Sequence, residues 1–239
     1  MAWYPGATRR ELPQNKTQEK ISPRSVVLHT AVSNSSDLYS YFSSGRTDVE
    51  SHFYVDKNGN VLQYMDTTVM AHCQLDGNEY GVSIETWDGA GSVWDGNNVN
   101  KIPAWNHKQV EALTKLIAWI CKTHNIPARK CPAWNGKGIG YHAQFTGRPG
   151  WNTSHACPGP SRISQVDGLI NRVKNYTEGG SAVANRIICK VPQATQDRWG
   201  YANSQYWDSD LDMDVSWRVR DCRQRVYRIR DLVRELKGL

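Results

Sequence analysis

The chain predicts a mixed α/β fold: a central, mostly β sheet flanked by helices, plus a small helical C-terminal segment. Three observations carry that expectation. Short β-type apolar runs alternate with amphipathic helical stretches, a hairpin signal joins two of the runs, and a polar, glycine-broken stretch sets off a last basic helical pattern.

In order, "SPRSVVLHTAV" carries Val26, Val27 and Leu28 straight into His29, which reads as a buried strand ending in a polar residue. "SSDLYSYFSSG" has a Ser/Asp start, apolar Leu38, Tyr41 and Phe42 at helical spacing and Gly45 as a stop, so a short helix follows. "SHFYVDKNGNVLQYM" places Asn58-Gly59 between two strand-like runs, and the tolerance of these residues for positive φ predicts a tight hairpin turn. Gly81 to Trp87 reads as a central strand with Val82 and Ile84 on one face and Ser83 and Glu85 on the other.

The long helix begins at Asn106, an N-cap with Gln109 three residues on. Its apolar stripe runs through Val110, Leu113, Leu116, Ile117, Ile120 and Cys121. A loop is expected next, from Gly140 to Pro160, and then a final helix with a stripe at Ile163, Val166, Ile170 and Val173.

"TEGGSAVAN" (177–185) has the composition of a linker, dividing the chain into 1–178 and 179–239. Beyond it, Val215, Val219, Cys222, Val226, Ile229, Val233 and Leu236 alternate at steps of four and three, a heptad seam. The other faces of that helix are rich in arginine. The seam suits pairing with a second copy, packing on "VANRIICKV", or display of arginines to anionic cell-wall polymers. Asp208, Asp210, Asp212 and Asp214 lack the glycine and closing glutamate of an EF-hand and read as charge at the start of the basic helix.

With 39% hydrophobic and 22% charged residues, and no apolar run near the ~20 residues of a membrane span, the composition is that of a globular protein without a transmembrane segment. The start "MAWYPGATRR" lacks the layout of a secretory signal, so synthesis and initial residence in a cytoplasm are expected. A net charge of +6 favours polyanionic partners. No nucleic-acid-binding motif accompanies the charge, and nucleic acid is not the expected partner. Six cysteines without a C-x-x-C pair point to neither a disulfide scaffold nor a four-cysteine metal site.

The chemistry concentrates in "GYHAQFTGRPGWNTSHACPGP", where His142 and Cys157 are metal-ligating residue types at a spacing that fits no zinc finger. His29, at a strand end, is the candidate third ligand. Three ligands leave a position open, as catalytic zinc requires. The residues alone leave packing roles for His29 and Cys157 open.

The ordered set "VVLHTAVS", "SHFYVDKNGNVLQYMD", "AHCQLDGNEYGVSIE", the long helix and "GYHAQF…SHACPGP" resembles the zinc-dependent N-acetylmuramoyl-L-alanine amidases of the peptidoglycan recognition protein and phage lysozyme-type fold, over residues 20–177. "MAWYPGA" and the long loop before Cys157 look like endolysins of phages infecting actinobacteria. The resemblance implies Zn2+ held by His29, His142 and Cys157, with cysteine where many relatives carry aspartate. It makes Glu85 the acid/base and His155, at a place often lysine or threonine, the oxyanion partner. His72 and Asn78 match positions lining the substrate groove. Where some relatives carry a tyrosine, this chain has Ser51, and Tyr54 has the wrong parity to replace it. His52 reads as structural, and His107 and His124 as solvated or capping at the ends of the long helix.

The implied reaction is hydrolysis of the amide joining N-acetylmuramic acid to L-alanine in bacterial peptidoglycan, by an enzyme made in the host cytoplasm that acts on the wall during host lysis. The alternative is a non-catalytic peptidoglycan-binding protein on the same fold. Such relatives usually lose the cysteine ligand, which is present here.

Overall fold

The computed structural model describes residues 2–46, 48–89, 101–154 and 156–177. The C-terminal linker, heptad seam and aspartate run, and His155, lie outside the described residues. No described helix is long and apolar enough to cross a membrane.

Among the described residues six strands form one sheet: β1 (Thr8–Arg9), β2 (Ser25–Leu28), β3 (Phe53–Val55), β4 (Val61–Gln63), β5 (Gly81–Thr86) and β6 (Gly138–Tyr141), in the order β1-β4-β3-β5-β2-β6. Among the described strands only β3 and β4 pair antiparallel; β2 runs parallel to both β5 and β6. The helices are α1 (Tyr39–Phe42), α2 (His107–His124), α3 (Pro160–Ile163) and α4 (Val166–Thr177). The expected mixed α/β architecture is present, with β3 and β5 at the centre of the sheet.

The core lies between the sheet and α2 with α4. Val26 and Leu28 of β2, Val82 and Ile84 of β5 and Ile139 of β6 pack on Leu113, Leu116, Ile117 and Ile120 of α2 and Val166, Leu169 and Val173 of α4. Helix α2 starts as expected: Asn106 accepts from the Gln109 amide while the Gln109 side chain accepts from the Asn106 amide. It ends at Asn125, in the left-handed conformation at φ 53°.

Four local expectations are corrected. The expected hairpin joins β3 and β4, but Asn58 does not take the positive φ expected of its turn. The Asp56 carboxylate gathers the amides of Asn58 and Asn60, and only Gly59 takes positive φ (81°). A Cβ at Gly59 would also stand 2.7 Å from the Lys108 carbonyl.

The last helical pattern splits into α3 and α4, because Ser164 and Gln165 form a turn between them. The supposed loop from Gly140 opens on β6, an edge strand that its glycines conceal. A Cβ at Gly138 would meet the Arg129 carbonyl at 2.6 Å, and one at Gly140 would meet Trp151 at 2.7 Å. His124 is half-buried rather than fully solvated, and its Nε2 is 2.7 Å from Thr67 Oγ1.

His52 is fully buried, as its structural reading requires. Its Nδ1 accepts from the Ser83 amide (3.1 Å), so Nε2 carries the proton donated to the Val69 carbonyl (2.8 Å). Burial first, and the charge of His124 second, depress its pKa to about 4. The unfolded chain therefore takes up a proton near pH 6.5 that the folded chain refuses. Stability contributed by neutral His52 is complete above about pH 6.5 and falls by roughly 3 kcal/mol as pH drops to about 4. Urea unfolding across this range should show a steeper acid loss for the wild type than for His52→Gln; equal slopes would contradict the assignment.

Candidate active site and metal centre

Parallel register brings the candidate residues together. Leu28 pairs with Ile84 of β5 on one side and Tyr141 of β6 on the other, so the next residues, His29, Glu85 and His142, stand at one level across three adjacent strands. Leu28, Ile84 and Tyr141 belong to the core beneath α2, and strand alternation assigns their successors to the opposite face. The site thus lies at the carboxyl ends of parallel strands, where open α/β sheets generally bind ligands.

Cys157 is tied to both strand ends. Its Sγ accepts from the Thr30 amide at 3.2 Å, and its carbonyl accepts from the Ala143 amide at 2.8 Å. One ligand atom each from His29, His142 and Cys157 lie within 4.8 Å of one another. The His29 and His142 rings stand 4.5 Å apart, centre to centre. Two imidazoles and a thiol form the nitrogen and sulfur donor set that zinc favours, and among the described residues no fourth ligand completes the group.

Glu85 Oε1 is 3.8 Å from His29 Nδ1, and Glu85 Oε2 is buried with no hydrogen-bond partner. Burial raises the Glu85 carboxyl to about 8, with Asp88 adding to the rise and Arg162 opposing it. Burial likewise pushes the Cys157 thiol well above its usual range, and the Glu85 charge adds to this. A divalent cation reverses both tendencies by favouring the charged forms. The buried, unpartnered carboxylate oxygen and the donor set together fit a metal ion.

A groove of 1010 Å³ opens over these residues, and both His72 and Asn78 line it. Each also holds structure. His72 Nδ1 is 3.2 Å from the buried Glu50 carboxylate, and Asn78 Oδ1 accepts from the Cys73 and Gln74 amides. Ser51 is buried, its hydroxyl 3.1 Å from the Ser83 carbonyl. Tyr54 is the register partner of Glu85 on the neighbouring strand, and its hydroxyl donates to the Ser35 carbonyl at 2.6 Å. Cys73, Cys121, Cys131 and Cys157 are all free thiols.

Sequence reasoning missed the supports behind the site. Arg162 reads as an ordinary exposed position on an amphipathic helix, yet it is fully buried. It donates to the Pro103 carbonyl (2.9 Å), Thr30 Oγ1 (3.0 Å), Thr86 Oγ1 (2.6 Å) and the Trp87 carbonyl (2.7 Å). Thr30 in turn donates to Asp88, whose carboxylate also holds the Val32 and Ser33 amides. Val32 sits at φ 49°, a strained conformation for a β-branched residue, and Asp88 maintains it beside His29. Asn152 donates to the His142 carbonyl at 2.7 Å, and Gln74 Oε1 lies 3.3 Å from His29 Nε2.

Arg162→Leu should cost at least about 3 kcal/mol, because buried carbonyls lose a charged donor. Arg162→Lys should recover only part of it, since an ammonium cannot reproduce the planar fork. Urea denaturation of the three proteins checks both statements.

Among curated proteins none matches the chain. Among solved structures, the Staphylococcus aureus hydrolase AmiA, in complex with its ligand, is similar with a TM-score of 0.55 at 15% identity, over 74% of this chain and 87% of its own. A variant of PlyL gives 0.50 at 15% identity, over 70% and 98%. The N-acetylmuramoyl-L-alanine amidase LysC from Clostridium intestinale gives 0.47 at 15%, over 69% and 97%. At these identities the first two likenesses speak to the fold, a mixed α/β sheet flanked by helices. The family described as N-acetylmuramoyl-L-alanine amidase matches residues 18–160, more than half of the chain and the whole span that carries His29, Glu85, His142 and Cys157. The chain belongs to the N-acetylmuramoyl-L-alanine amidase family.

Proposed function

We propose that the chain is a zinc-dependent amidase that hydrolyses the bond between N-acetylmuramic acid and the L-alanine of the stem peptide, and that it serves a phage as an endolysin. The observation that carries this reading is the convergence of His29, His142 and Cys157 within 4.8 Å, beside a buried carboxylate oxygen that has no other partner.

In this reading His29, His142 and Cys157 hold the ion, and the Thr30 amide steadies the thiolate. Zinc, when bound, supplies Lewis acidity to the scissile carbonyl and lowers the pKa of water to about 7. Glu85 takes the proton of the attacking water and passes one to the departing amine. His155, as an imidazolium, donates to the tetrahedral oxyanion. No covalent enzyme intermediate forms. His72 and Asn78 present the groove wall to the substrate.

Residues 1–178 form the catalytic domain, and residues 179–239 a linker with a small basic module. The module's arginines engage anionic cell-wall polymers, or its seam pairs with a second copy. The host is an actinobacterium, in keeping with "MAWYPGA" and the long loop before Cys157. The enzyme is made in the host cytoplasm.

Digestion of purified cell wall with zinc-loaded protein, with and without chelator, tests the reaction. New amino groups at L-alanine, without new reducing sugar ends and only when zinc is present, are expected. Absence of release by the zinc-loaded protein would overturn the proposal.

A further inference from the structure

The segment 75–80 borders two depressions. Leu75 and Asn78 line the groove already described, while Asp76, Glu79 and Tyr80 line a second, open one of 440 Å³ together with Trp134, Arg148 and Pro149. Three loops far apart in sequence meet there, and buried contacts fix them.

Trp151, fully buried, donates from Nε1 to the Trp134 carbonyl at 2.6 Å. Its ring packs so closely on Gly77 that a Cβ there would stand 2.3 Å from it. The Asp76 carboxylate accepts from the Gly150 amide (3.1 Å) and lies 3.8 Å from the Arg148 guanidinium. The Tyr80 and Trp134 rings meet edge to face at 5.6 Å, forming an aromatic corner.

We propose that this depression is a saccharide subsite, which takes a neutral β-1,4-linked N-acetylhexosamine ring of the glycan strand while the groove takes the muramyl amide. The inference rests on the proposed amidase reading for its choice of polymer.

Three features favour a neutral sugar. Aromatic rings set at an angle offer apolar faces to ring C–H groups, and carboxylate and guanidinium edges beside them suit hydroxyl and acetamido groups. The charges balance: Asp76 and Glu79 are matched by Arg148 and by Arg24, whose guanidinium lies 5.6 Å over the Tyr80 ring. That balance suits an uncharged polyol better than the ammonium group of a stem peptide. The volume falls within the range of roughly 300–1,000 Å³ usual for ligand sites, and the open side lets a polymer continue beyond it. The shared segment 75–80 sets the depression next to the groove.

The test is titration of the full chain with the β-1,4 tetramer of N-acetylglucosamine, which has no peptide and no scissile amide, in parallel with a sugar-free stem peptide, followed by calorimetry. Saccharide binding is expected, weakened about tenfold or more by Trp134→Ala, the loss of one stacked aromatic face, and restored in Trp134→Tyr. Glu79→Gln, at an exposed position, should weaken it several-fold, about 1 kcal/mol for one hydrogen bond, and remains informative if Trp134→Ala does not fold. Thermal melts establish which variants fold.

No saccharide binding by the wild type would overturn the proposal. So would undiminished binding by folded Trp134→Ala or Glu79→Gln, or a peptide whose binding depends on Trp134 while the sugar's does not. Because nothing is cleaved, the result is independent of catalysis. A chain that binds the tetramer through Trp134 but frees no L-alanine amino groups in wall overturns the amidase reaction and keeps the subsite.

Discussion

Cys157→Ser should strip the protein of zinc and of wall-digesting activity together. A serine hydroxyl is a hard, un-ionised donor, and it leaves two imidazoles to hold an ion that a thiolate would otherwise share and partly neutralise. The Thr30 amide, 3.2 Å from Sγ, would then point at a neutral oxygen. Loss of a supporting residue alone typically lowers metal affinity about 10–100-fold, so loss of a ligand should lower it by at least about 100-fold. Metal content after dialysis and amine release from purified wall are the two measurements. A thermal melt adds a third: zinc should raise the melting temperature of the wild type, by mass action on the folded state, and not that of the variant. Stoichiometric zinc in the serine variant would remove Cys157 from the ligand set.

Glu85→Gln should have the complementary effect, keeping the zinc and losing the reaction. The amide is nearly isosteric and neutral, so the three ligand atoms and the groove stay in place, while proton transfer to and from water is lost. A positioned general acid/base contributes typically about 10²–10⁴-fold, which is the expected fall in turnover. Folding stability should not fall, because the residue replaced is a buried acid with one oxygen unpartnered. Full activity in this variant would show that the carboxylate has another role. Loss of zinc along with activity would show that Glu85 helps to hold the metal.

Much of the fold is legible because it is written in short-range patterns. The cap at Asn106 and Gln109, the stripe of α2 and the strand into His29 each depend on residues within a turn or two. Misreadings arise where tertiary contact overrides local preference. Strand β6 is half glycine, which masks the β preference of Ile139 and Tyr141, because the bulk of Trp151 and the backbone near residues 129–131 leave no room for side chains at Gly138 and Gly140. Arg162 has the composition of a surface residue and the environment of a core one, since its partners Thr30, Thr86, Trp87 and Pro103 come from distant segments. No spacing in the chain announces that network.

The sequence by itself determined the order of the elements, the residue types able to bind a metal, and, through resemblance over the matched span, the family. Only the tertiary structure decided that His29, Glu85 and His142 stand side by side, with Cys157 drawn between the strand ends. The reason is physical. Parallel pairing of β2 with β5 and β6 joins segments up to more than a hundred residues apart through backbone hydrogen bonds, which leave no side-chain signature, and a shift of one residue in that register would turn a ligand to the other face of the sheet.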